Sequence, residues 1–251
     1  MGVSVAALYR HPVKSLGEEA VAAVTLAAGR HMPLDRVWAI AHGAGKWDPS
    51  AREWVPRGNF VAQAHVPELA RVTVAADEAS GRVRLRHPLA GPVEADPDDP
   101  AGAEALTAWI ARVAGDRRPG PYRVARLAEG ALTDVPDAHV AINATASLRA
   151  LEQAAGAPLA HPRFRGNLWL DGLAPWEEFD LLGREIAVGA ARLHVTERIG
   201  RCMATTANPE TGRQDVPVPD ILERQWGHTD FGVYARVVGG GRVAAGDPVR
   251  L

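Results

Sequence analysis

The feature that most constrains the fold is the recurrence of short β-type runs along the whole chain. They are rich in Val, Leu and Ala, and Gly, Pro or Asp stands at most of the breaks between them. This spacing favours a mainly antiparallel barrel or sandwich over a regular alternation of strands and helices. The runs are VSVAALY, VAAVTL, RVWAIAH, ARVTVAA, RVRLR, YRVARL, NLWL, REIAVG, ARLHVT, FGVYARVV and DPVRL. The sequence therefore predicts a mainly β (α+β) fold.

Three segments are predicted to be helical. In the strongest, four apolar side chains recur at the spacing of one helix face, and Gly115 follows the last turn. Thr145 is predicted to cap the second helix, which Gly156 ends. The predicted helices cover residues 101–114, 146–155 and 219–226.

Two charged, Pro-rich breaks, AGPVEADPDDPAG and GDRRPGP, divide the chain. Because 251 residues exceed the common size of one domain, we expect a boundary near Gly120, with domains at 1–119 and 120–251. The glycine run near the C-terminus is predicted to turn a hairpin between Val237 and Val243. No helix pattern follows that run, so it is not read as a phosphate-binding loop.

Composition and charge favour a small-molecule function. The formal charge is −2, with 23% charged and 47% hydrophobic residues, which offers no electrostatic reason to expect nucleic acid or an anionic membrane as partner. The apolar run near the N-terminus has no basic region before it and is too short for a signal peptide or a membrane span. The expected location is therefore the cytoplasm.

Cys202 is the single cysteine of the chain, and it lies between Arg201 and a run of small and polar residues. One thiol permits neither an intramolecular disulfide nor an iron–sulfur cluster held by several thiolates of this chain. Free cysteine is among the most buried residue types, so an inert buried thiol is one interpretation. The other is a thiolate favoured by the neighbouring cation, which is a ligand for soft metals.

Two segments carry candidates for an anion site. Lys14 and Ser15 are adjacent in RHPVKS, where an ammonium and a hydroxyl can hold a phosphate, although a solvated loop is the alternative. Arg36 opens the run RVWAIAH and is a second candidate for the same phosphate. A surface salt bridge in the neighbourhood of Asp35 is the alternative for Arg36.

A third segment, FRGNLWLDG, carries Arg165 and Asn167 two positions apart. In an extended segment their side chains point to the same side and present a planar cation and an amide to a ligand. Such a pair suits the edge of a heterocycle. Turn chemistry at Gly166 is the alternative.

These segments, in this order, resemble the MOSC family, named for the C-terminal domain of molybdenum-cofactor sulfurase. The first part of the chain is similar to the N-terminal barrel that accompanies many MOSC domains. The second part is similar to the MOSC core, with its Arg-x-Asn, Pro-Trp-Glu-Glu, Arg-Cys and Thr-Thr-x-x-Pro-x-Thr-Gly elements. Within the family, the chain resembles the mitochondrial amidoxime-reducing component and its bacterial counterparts.

The resemblance implies an antiparallel β-barrel core, an N-terminal β-barrel segment and a molybdenum cofactor (Mo-molybdopterin) in a cleft between the two parts. Carried over to this chain, it makes Cys202 the catalytic residue and the protein ligand of molybdenum. The remaining implied cofactor residues are Lys14, Ser15 and Arg36 at the phosphate, and Asp137, Arg165 and Asn167 at the pterin.

The implied activity is a molybdenum-dependent reduction of N-hydroxylated compounds to an amine or amidine. Electrons are expected from a separate donor, a ferredoxin-like protein or a flavin reductase, because the sequence carries no ferredoxin-like extension of the kind found in some relatives. Gly200 and Asn208 stand where relatives often carry Ser and an acid, which concerns the substrate range. Two other functions stay open: sulfur transfer through a persulfide on Cys202, and carriage of the cofactor without turnover.

Overall fold

The computed structural model describes residues 2–251, which form fifteen strands and three α-helices. Every predicted β-type run contains all or part of a strand, which confirms the mainly β fold. The helices are α1 (Pro100–Ala114), α2 (Thr145–Ala155) and α3 (Val218–Trp226). The strands are β1 (Ser4–Arg10), β2 (Glu19–Val21), β3 (Ala23–Leu26), β4 (Trp38–Ala41), β5 (Thr73–Ala76), β6 (Val83–His87), β7 (Gly91–Ala95), β8 (Arg123–Arg126), β9 (Val140–Ala144), β10 (Leu168–Asp171), β11 (Glu185–Val188), β12 (Ala191–Gly200), β13 (Asp230–Gly239), β14 (Gly241–Ala244) and β15 (Val249–Arg250).

The largest sheet has eight strands in the order β15-β11-β12-β13-β9-β10-β1-β2. Its pairs are antiparallel except for β9 and β10, which run parallel. The sheet curls back on itself, because Ser4 and Pro248 form an antiparallel bridge and the Val249 amide donates to the carbonyl of Val3 at 2.8 Å. The resulting barrel encloses an apolar core that includes Leu8 and Val233.

A second apolar core lies in the N-terminal half of the chain. It is enclosed by the sheet β5-β6-β7, the strand pair β4-β8 and helix α1. All four apolar residues of the predicted α1 face are buried. The side chain of Asp99 caps this helix by accepting a hydrogen bond from the Gly102 amide at 3.1 Å, which satisfies one of the free donors of the first turn.

The two halves of the chain exchange strands. The first two strands belong to the barrel, and β3 pairs with β14 near the C-terminus. In the opposite direction, β8 follows the expected boundary but pairs with β4 of the N-terminal half. The boundary near Gly120 therefore stays a prediction. Strands on either side of it pair with each other, so the two parts of the sequence are not two separate sets of strands.

Two local predictions were wrong. Thr145 is the first residue of α2 rather than its cap, and its hydroxyl donates to Asp171 at 2.7 Å. The glycine run does not turn a hairpin, because β13 pairs with β12 and β9 whereas β14 pairs with β3. A Cβ atom on Gly241 would lie 2.2 Å from the Ala190 carbonyl oxygen, so close backbone approach explains a glycine there.

Helices α2 and α3 pack together over one side of the barrel, with Phe164, Trp169 and Phe231 between them and the strands. Within residues 2–251, none of the helices has both the length and the apolar character needed to cross a membrane.

Candidate functional site

Two cavities meet between the N-terminal half and the barrel. The C-terminal cavity, of about 280 Å³, is lined mainly by residues between positions 133 and 234. The N-terminal cavity, of about 590 Å³, is lined by Lys14, Ser15, side chains between positions 57 and 65, Arg118 and Met203. The residues that line both cavities are Arg36, Arg57, Asp134, Arg165, Cys202 and Ala204. A ligand at this junction would therefore contact both parts of the chain.

Cys202 lies at the junction of the two cavities, two residues after β12. It is half-buried and immediately precedes the short 3₁₀ helix Met203–Thr206. Its carbonyl oxygen accepts hydrogen bonds from the amide and the hydroxyl of Thr205, at 3.1 and 2.9 Å. The backbone of Cys202 is thus fixed while its side chain faces a cavity, which does not match an inert thiol in a dry apolar core.

Arg201 lies beneath the thiol and is held by backbone carbonyls. Its guanidinium donates to the carbonyls of Phe231 and Phe164, at 2.8 and 2.6 Å, and to the Asn143 side chain at 3.2 Å. Burial lowers the pKa of Arg201 to about 10, with a smaller contribution from the positive charge of Arg36. No carboxylate of residues 2–251 forms an ion pair with Arg201, although the charge of Asp134 acts on it from a greater distance.

Arg165 is a second cation without an ion pair among the described residues, although the charges of Asp35, Asp134 and Glu18 act on it from a greater distance. One of its terminal nitrogens donates to the carbonyl of Leu16 at 3.1 Å, and the other, Nη2, is enclosed and has no hydrogen-bond partner among the described residues. Burial and then the charge of Arg36 lower its pKa to about 10. A buried donor without a partner indicates a position for an acceptor that the protein does not supply.

Arg36 is ion-paired with Asp35, but inside the molecule. Its side chain is 14% exposed and that of Asp35 is 1% exposed, so the surface salt bridge expected as the alternative for Arg36 was wrong. Burial alone would raise the pKa of Asp35, but the charge of Arg36 and hydrogen bonds from His11 hold that pKa far below its usual range. Arg36 also donates to the Arg165 carbonyl at 2.9 Å, which links the two cations of the junction.

Lys14 and Ser15 form the wall of the N-terminal cavity. Lys14 is buried rather than solvated, and its ammonium donates to Asp134 at 2.5 Å. Burial lowers the pKa of Lys14, the charge of Asp134 opposes that effect, and the charges of Arg36 and Arg165 add to it. No hydrogen bond to another described residue involves the Ser15 hydroxyl, which leaves it free to donate to a ligand.

Backbone strain coincides with this site. Among residues 2–251, five non-glycine residues have a positive φ angle, and three of them are Ser15, Arg36 and Arg165, at 64°, 53° and 49°. The left-handed region costs L-residues about 1–3 kcal/mol and is concentrated at binding and catalytic sites. Ser15, Arg36 and Arg165 therefore share a backbone conformation that is intrinsically unfavourable for their residue types.

Asn167 lines the C-terminal cavity, but its amide is already bonded. It donates to Asp35 at 3.0 Å and to the Tyr9 carbonyl at 3.2 Å, and it accepts from the Ala141 amide at 3.0 Å. The expectation that Asn167 and Arg165 point the same way along a strand was wrong, because Arg165 is in the left-handed region before β10 begins. Asn167 orients the site by holding Asp35.

The structure does not bring Asp137 to either cavity. Asp137 is exposed, whereas Asp134, three residues earlier in the same loop, lines both cavities and contacts Lys14. The Lys14 and Arg36 charges outweigh the effect of burial and lower the pKa of Asp134 to about 2. The loop has no periodicity from which its register could be read.

The lining residues missed from the sequence include Arg163, Tyr234 and Arg57. Arg163 pairs with Asp215 at 2.8 Å and donates to the Thr206 carbonyl at 3.0 Å, which ties the loop after Cys202 to the segment HPRF. Tyr234 and Arg57 also line the cavities. A second arginine in HPRFRGN was a usable signal for Arg163, whereas nothing in the sequence connects Tyr234 or Arg57 with Cys202.

The residues present fit a molybdopterin better than a metal held by protein alone. Within residues 2–251, no group of three or more His, Cys, Asp or Glu side chains is arranged to hold a metal ion. A metal at Cys202 would take its other ligands from a bound group. The unsatisfied Arg165 nitrogen, and the lack of an ion-pair partner for Arg165 and Arg201 among the described residues, match a group that also brings negative charge.

Three solved structures resemble the chain. The YUAD protein from Bacillus subtilis is 12% identical, with 99% of this chain and 94% of that chain covered and a TM-score of 0.47. YiiM from Geobacillus stearothermophilus is 21% identical over 44% of this chain, with a TM-score of 0.35, and YiiM from Escherichia coli is 17% identical over 45%, also at 0.35. The chain spans about half the length of the two YiiM proteins, 52% and 53%. No curated protein matches it.

Two family models match nearly the whole chain between them. The model of the MOSC N-terminal beta barrel domain matches residues 2–117, and the model of the MOSC domain matches residues 129–250. The two matches follow each other in the order expected from the sequence motifs. The chain therefore belongs to the MOSC-domain family.

Proposed function

We propose that this protein binds the molybdenum cofactor at the junction of the two cavities and reduces N-hydroxylated compounds there. The observation that carries the proposal is the meeting of the single cysteine with two guanidinium groups that have no ion-pair partner among residues 2–251, in one partly enclosed space. A soft thiolate ligand and a surplus of positive charge suit a ligand that combines a soft metal with an anionic group.

In this proposal Cys202 is the metal ligand, and Lys14, Ser15 and Arg36 hold the phosphate. Arg165 faces the pterin, with Nη2 as its free donor. Asn167 acts indirectly, through Asp35. Asp134 replaces Asp137 as the acid at the site, because Asp134 is the one of the two that lines the cavities.

When bound, the cofactor supplies a metal centre able to exchange two electrons and an oxygen atom. The chain's own residues supply orientation and charge neutralisation. The overall reaction breaks the N–O bond of the substrate, consumes two electrons and two protons, and releases water and an amine or amidine. The electrons come from a separate donor protein, a ferredoxin-like protein or a flavin reductase.

The protein should first be purified from a host that makes the cofactor. We expect about one molybdenum and one pterin per chain, and reduction of benzamidoxime to benzamidine with an artificial electron donor. Mass spectrometry of Cys202 tests sulfur transfer. A persulfide on Cys202 without molybdenum would replace this proposal with sulfur transfer, and bound cofactor without turnover would reduce it to a carrier.

A further inference from the structure

The N-terminal cavity contains cations beyond those that the cofactor phosphate would engage. Lys14, Ser15 and Arg36 lie on its wall, and Lys14 is already partnered by Asp134. The same cavity is also lined by Arg118 and His65, which do not line the C-terminal cavity. We therefore asked which chemistry this additional part of the cavity would bind.

Arg118 is the principal feature of this part of the cavity. Its side chain is half-buried, its Nε atom is enclosed without a hydrogen-bond partner, and it forms no ion pair with any residue between 2 and 251. Its backbone is fixed, because the hydroxyl of Tyr122 donates to the Arg118 carbonyl and the Gly43 amide donates to the next carbonyl, that of Pro119, at 3.0 Å. The backbone position of Arg118 is therefore fixed, and its guanidinium extends from it without a partner in the described part of the chain.

No acid of the described chain balances this charge. Two imidazoles lie within reach of this charge: burial, and then the positive charge of Arg118, lowers the pKa of His65, and the same two causes lower that of His42 against an opposing hydrogen bond to the Gly58 carbonyl. Arg57, which lines both cavities, adds a further cation without an ion pair in the described part of the chain. Phe60 and Ala62 supply apolar wall in the same cavity.

We infer that this part of the N-terminal cavity binds the acidic group of the substrate, and that the substrate is an N-hydroxylated compound carrying a carboxylate or a phosphate. The inference rests on the function proposed above. A guanidinium offers parallel N–H donors that match the oxygens of these two groups. Because Cys202 and Arg118 line one cavity of about 590 Å³, a single small molecule can contact both residues.

The cofactor phosphate is the other source of an anion near these residues. Lys14 and Ser15 line the N-terminal cavity alone, as Arg118 does, so the lining by itself does not separate the two anions. Their charged neighbours do: besides burial, the charges of Arg36 and Arg165 lower the pKa of Lys14, whereas the charge of Arg118 lowers the pKa of His65 and of His42. We therefore assign the cofactor phosphate to Lys14, Ser15 and Arg36, and the substrate anion to Arg118. The two assignments make different predictions for a variant that lacks the Arg118 charge.

The test compares Arg118→Gln with Arg117→Gln in protein that carries the cofactor. Arg117 is the exposed neighbour and lines neither cavity, so it controls for the loss of one charge. The probes are benzamidoxime, which is neutral, and 4-carboxybenzamidoxime, which is anionic. Molybdenum content, KM for both probes and the calorimetric Kd of the anionic probe without a reductant are measured for each variant.

We expect Arg118→Gln to raise KM and Kd for 4-carboxybenzamidoxime by about tenfold to a hundredfold, because a charge-assisted hydrogen bond is lost. KM for benzamidoxime and the molybdenum content should stay within about twofold of wild type, and Arg117→Gln should change none of these quantities by more than that. The wild-type protein should also bind the anionic probe more tightly than the neutral one.

Loss of molybdenum from Arg118→Gln would assign Arg118 to the cofactor phosphate and overturn the inference. Equal changes for both probes, or no preference for the anionic probe in wild type, would overturn it as well. Failure of the proposed function has a different signature. A protein that binds 4-carboxybenzamidoxime in an Arg118-dependent way but reduces neither probe would retain the anion site and lose the reductase assignment.

Discussion

The cations on the two sides of the cavity junction are held in different ways. On the N-terminal side, Lys14 and Arg36 are each paired with a carboxylate, from Asp134 and Asp35 respectively. On the barrel side, Arg165 and Arg201 bond to backbone carbonyls and, for Arg201, an amide, and neither has a carboxylate partner within residues 2–251. The paired cations are neutralised by the fold itself. The unpaired cations are opposed only by carboxylates beyond ion-pair distance, such as Asp134, and leave room for an anionic ligand to pair with them.

Because of this difference, substituting a paired cation should mainly lower the stability of the fold, whereas substituting an unpaired one should mainly weaken ligand binding. Removing Arg36 strands the carboxylate of Asp35, which is 1% exposed, and a stranded buried charge destabilises a protein strongly. Removing Lys14 costs less, because the side chain of Asp134 is 52% exposed and water can solvate it. Removing an unpaired cation strands only neutral carbonyls and relieves repulsion from Arg36, so the fold should tolerate it better. Cys202 belongs to neither group. It is the proposed metal ligand, and its half-buried side chain contributes little to the packing of the core.

The largest effect is expected for Cys202→Ala and Cys202→Ser. Both should abolish N-reductive turnover, because alanine offers no ligand and the hydroxyl of serine is a poor substitute for a soft thiolate. The half-buried side chain contributes little to the core, so thermal unfolding of the cofactor-free protein should be almost unchanged. Turnover at the wild-type rate with bound molybdenum in either variant would contradict the ligand assignment.

Arg36→Met should produce the largest loss of stability. The substitution leaves Asp35, which is 1% exposed, as a buried carboxylate without its cation, and the expected cost is about 3–5 kcal/mol. Urea unfolding of the cofactor-free protein measures this cost. Arg36→Met,Asp35→Asn is the matched control, because it removes the stranded charge and should recover part of the loss. A stability equal to that of wild type would show that the pair is not a structural element.

Arg165→Met should lower the stability of the fold only slightly and lower cofactor binding strongly. Its hydrogen bonds to the carbonyls of Leu16 and Gly17 are lost, at a cost of about 1 kcal/mol, and the repulsion from Arg36 disappears. Molybdenum content should nevertheless fall as far as it does in a Lys14→Ala variant. The comparison of the two sides fails if Arg165→Met destabilises the cofactor-free protein as much as Arg36→Met does.

The carboxylates of the N-terminal side predict a dependence on pH. Burial would raise the pKa of Glu18, but the imidazoles of His11 and His161, whose Nε2 atoms lie 3.6 and 2.5 Å from its carboxylate, outweigh it and lower the pKa to about 2. Glu18 therefore stabilises the fold above its ordinary pKa, and this contribution is lost as the pH falls from about 4.5 to about 2. Glu18→Gln should lose about 1–3 kcal/mol at pH 6 and show a shallower decline in acid. Glu104→Gln, on the exposed face of α1, is the control and should follow wild type at every pH.

The strands were predictable where the chain alternates or breaks sharply, as in VSVAALY and ARLHVT. Strand β9 was missed because all five of its residues are buried and show no alternation, and β7 was missed because it begins with Gly-Pro, which indicates a break. The partners of β14 were not predictable, because pairing with β3 depends on contacts between the two ends of the chain.

The candidate site was predictable in its motif residues and not in their partners. Cys202, Lys14 and Arg36 occur in recognisable segments, and the structure brings them to one junction. The carbonyls that hold Arg201, and the contact between Lys14 and Asp134, join residues far apart in sequence and follow from tertiary packing alone. Arg118 lies in GDRRPGP, which has the composition of a linker, so the sequence indicated a break rather than a cavity wall.

The smallest effect is expected at Gly200, the last residue of β12. A Cβ atom there would meet only the Asp230 side chain, at 3.7 Å, which is an ordinary contact. Gly200→Ser should therefore change the free energy of unfolding by less than about 0.5 kcal/mol.

Gly166→Ser is the matched contrast on the same side of the junction, because its Cβ would lie 2.3 Å from Asn143 Nδ2 and 3.2 Å from Trp169 Nε1. Both side chains are buried and Asn143 accepts from Arg201, so the new atom displaces a group that holds a cation of the site. We expect that variant to lose more than about 1 kcal/mol in urea unfolding. Equal stabilities for the two glycine variants would show that the barrel side is not held as tightly as its hydrogen bonds indicate.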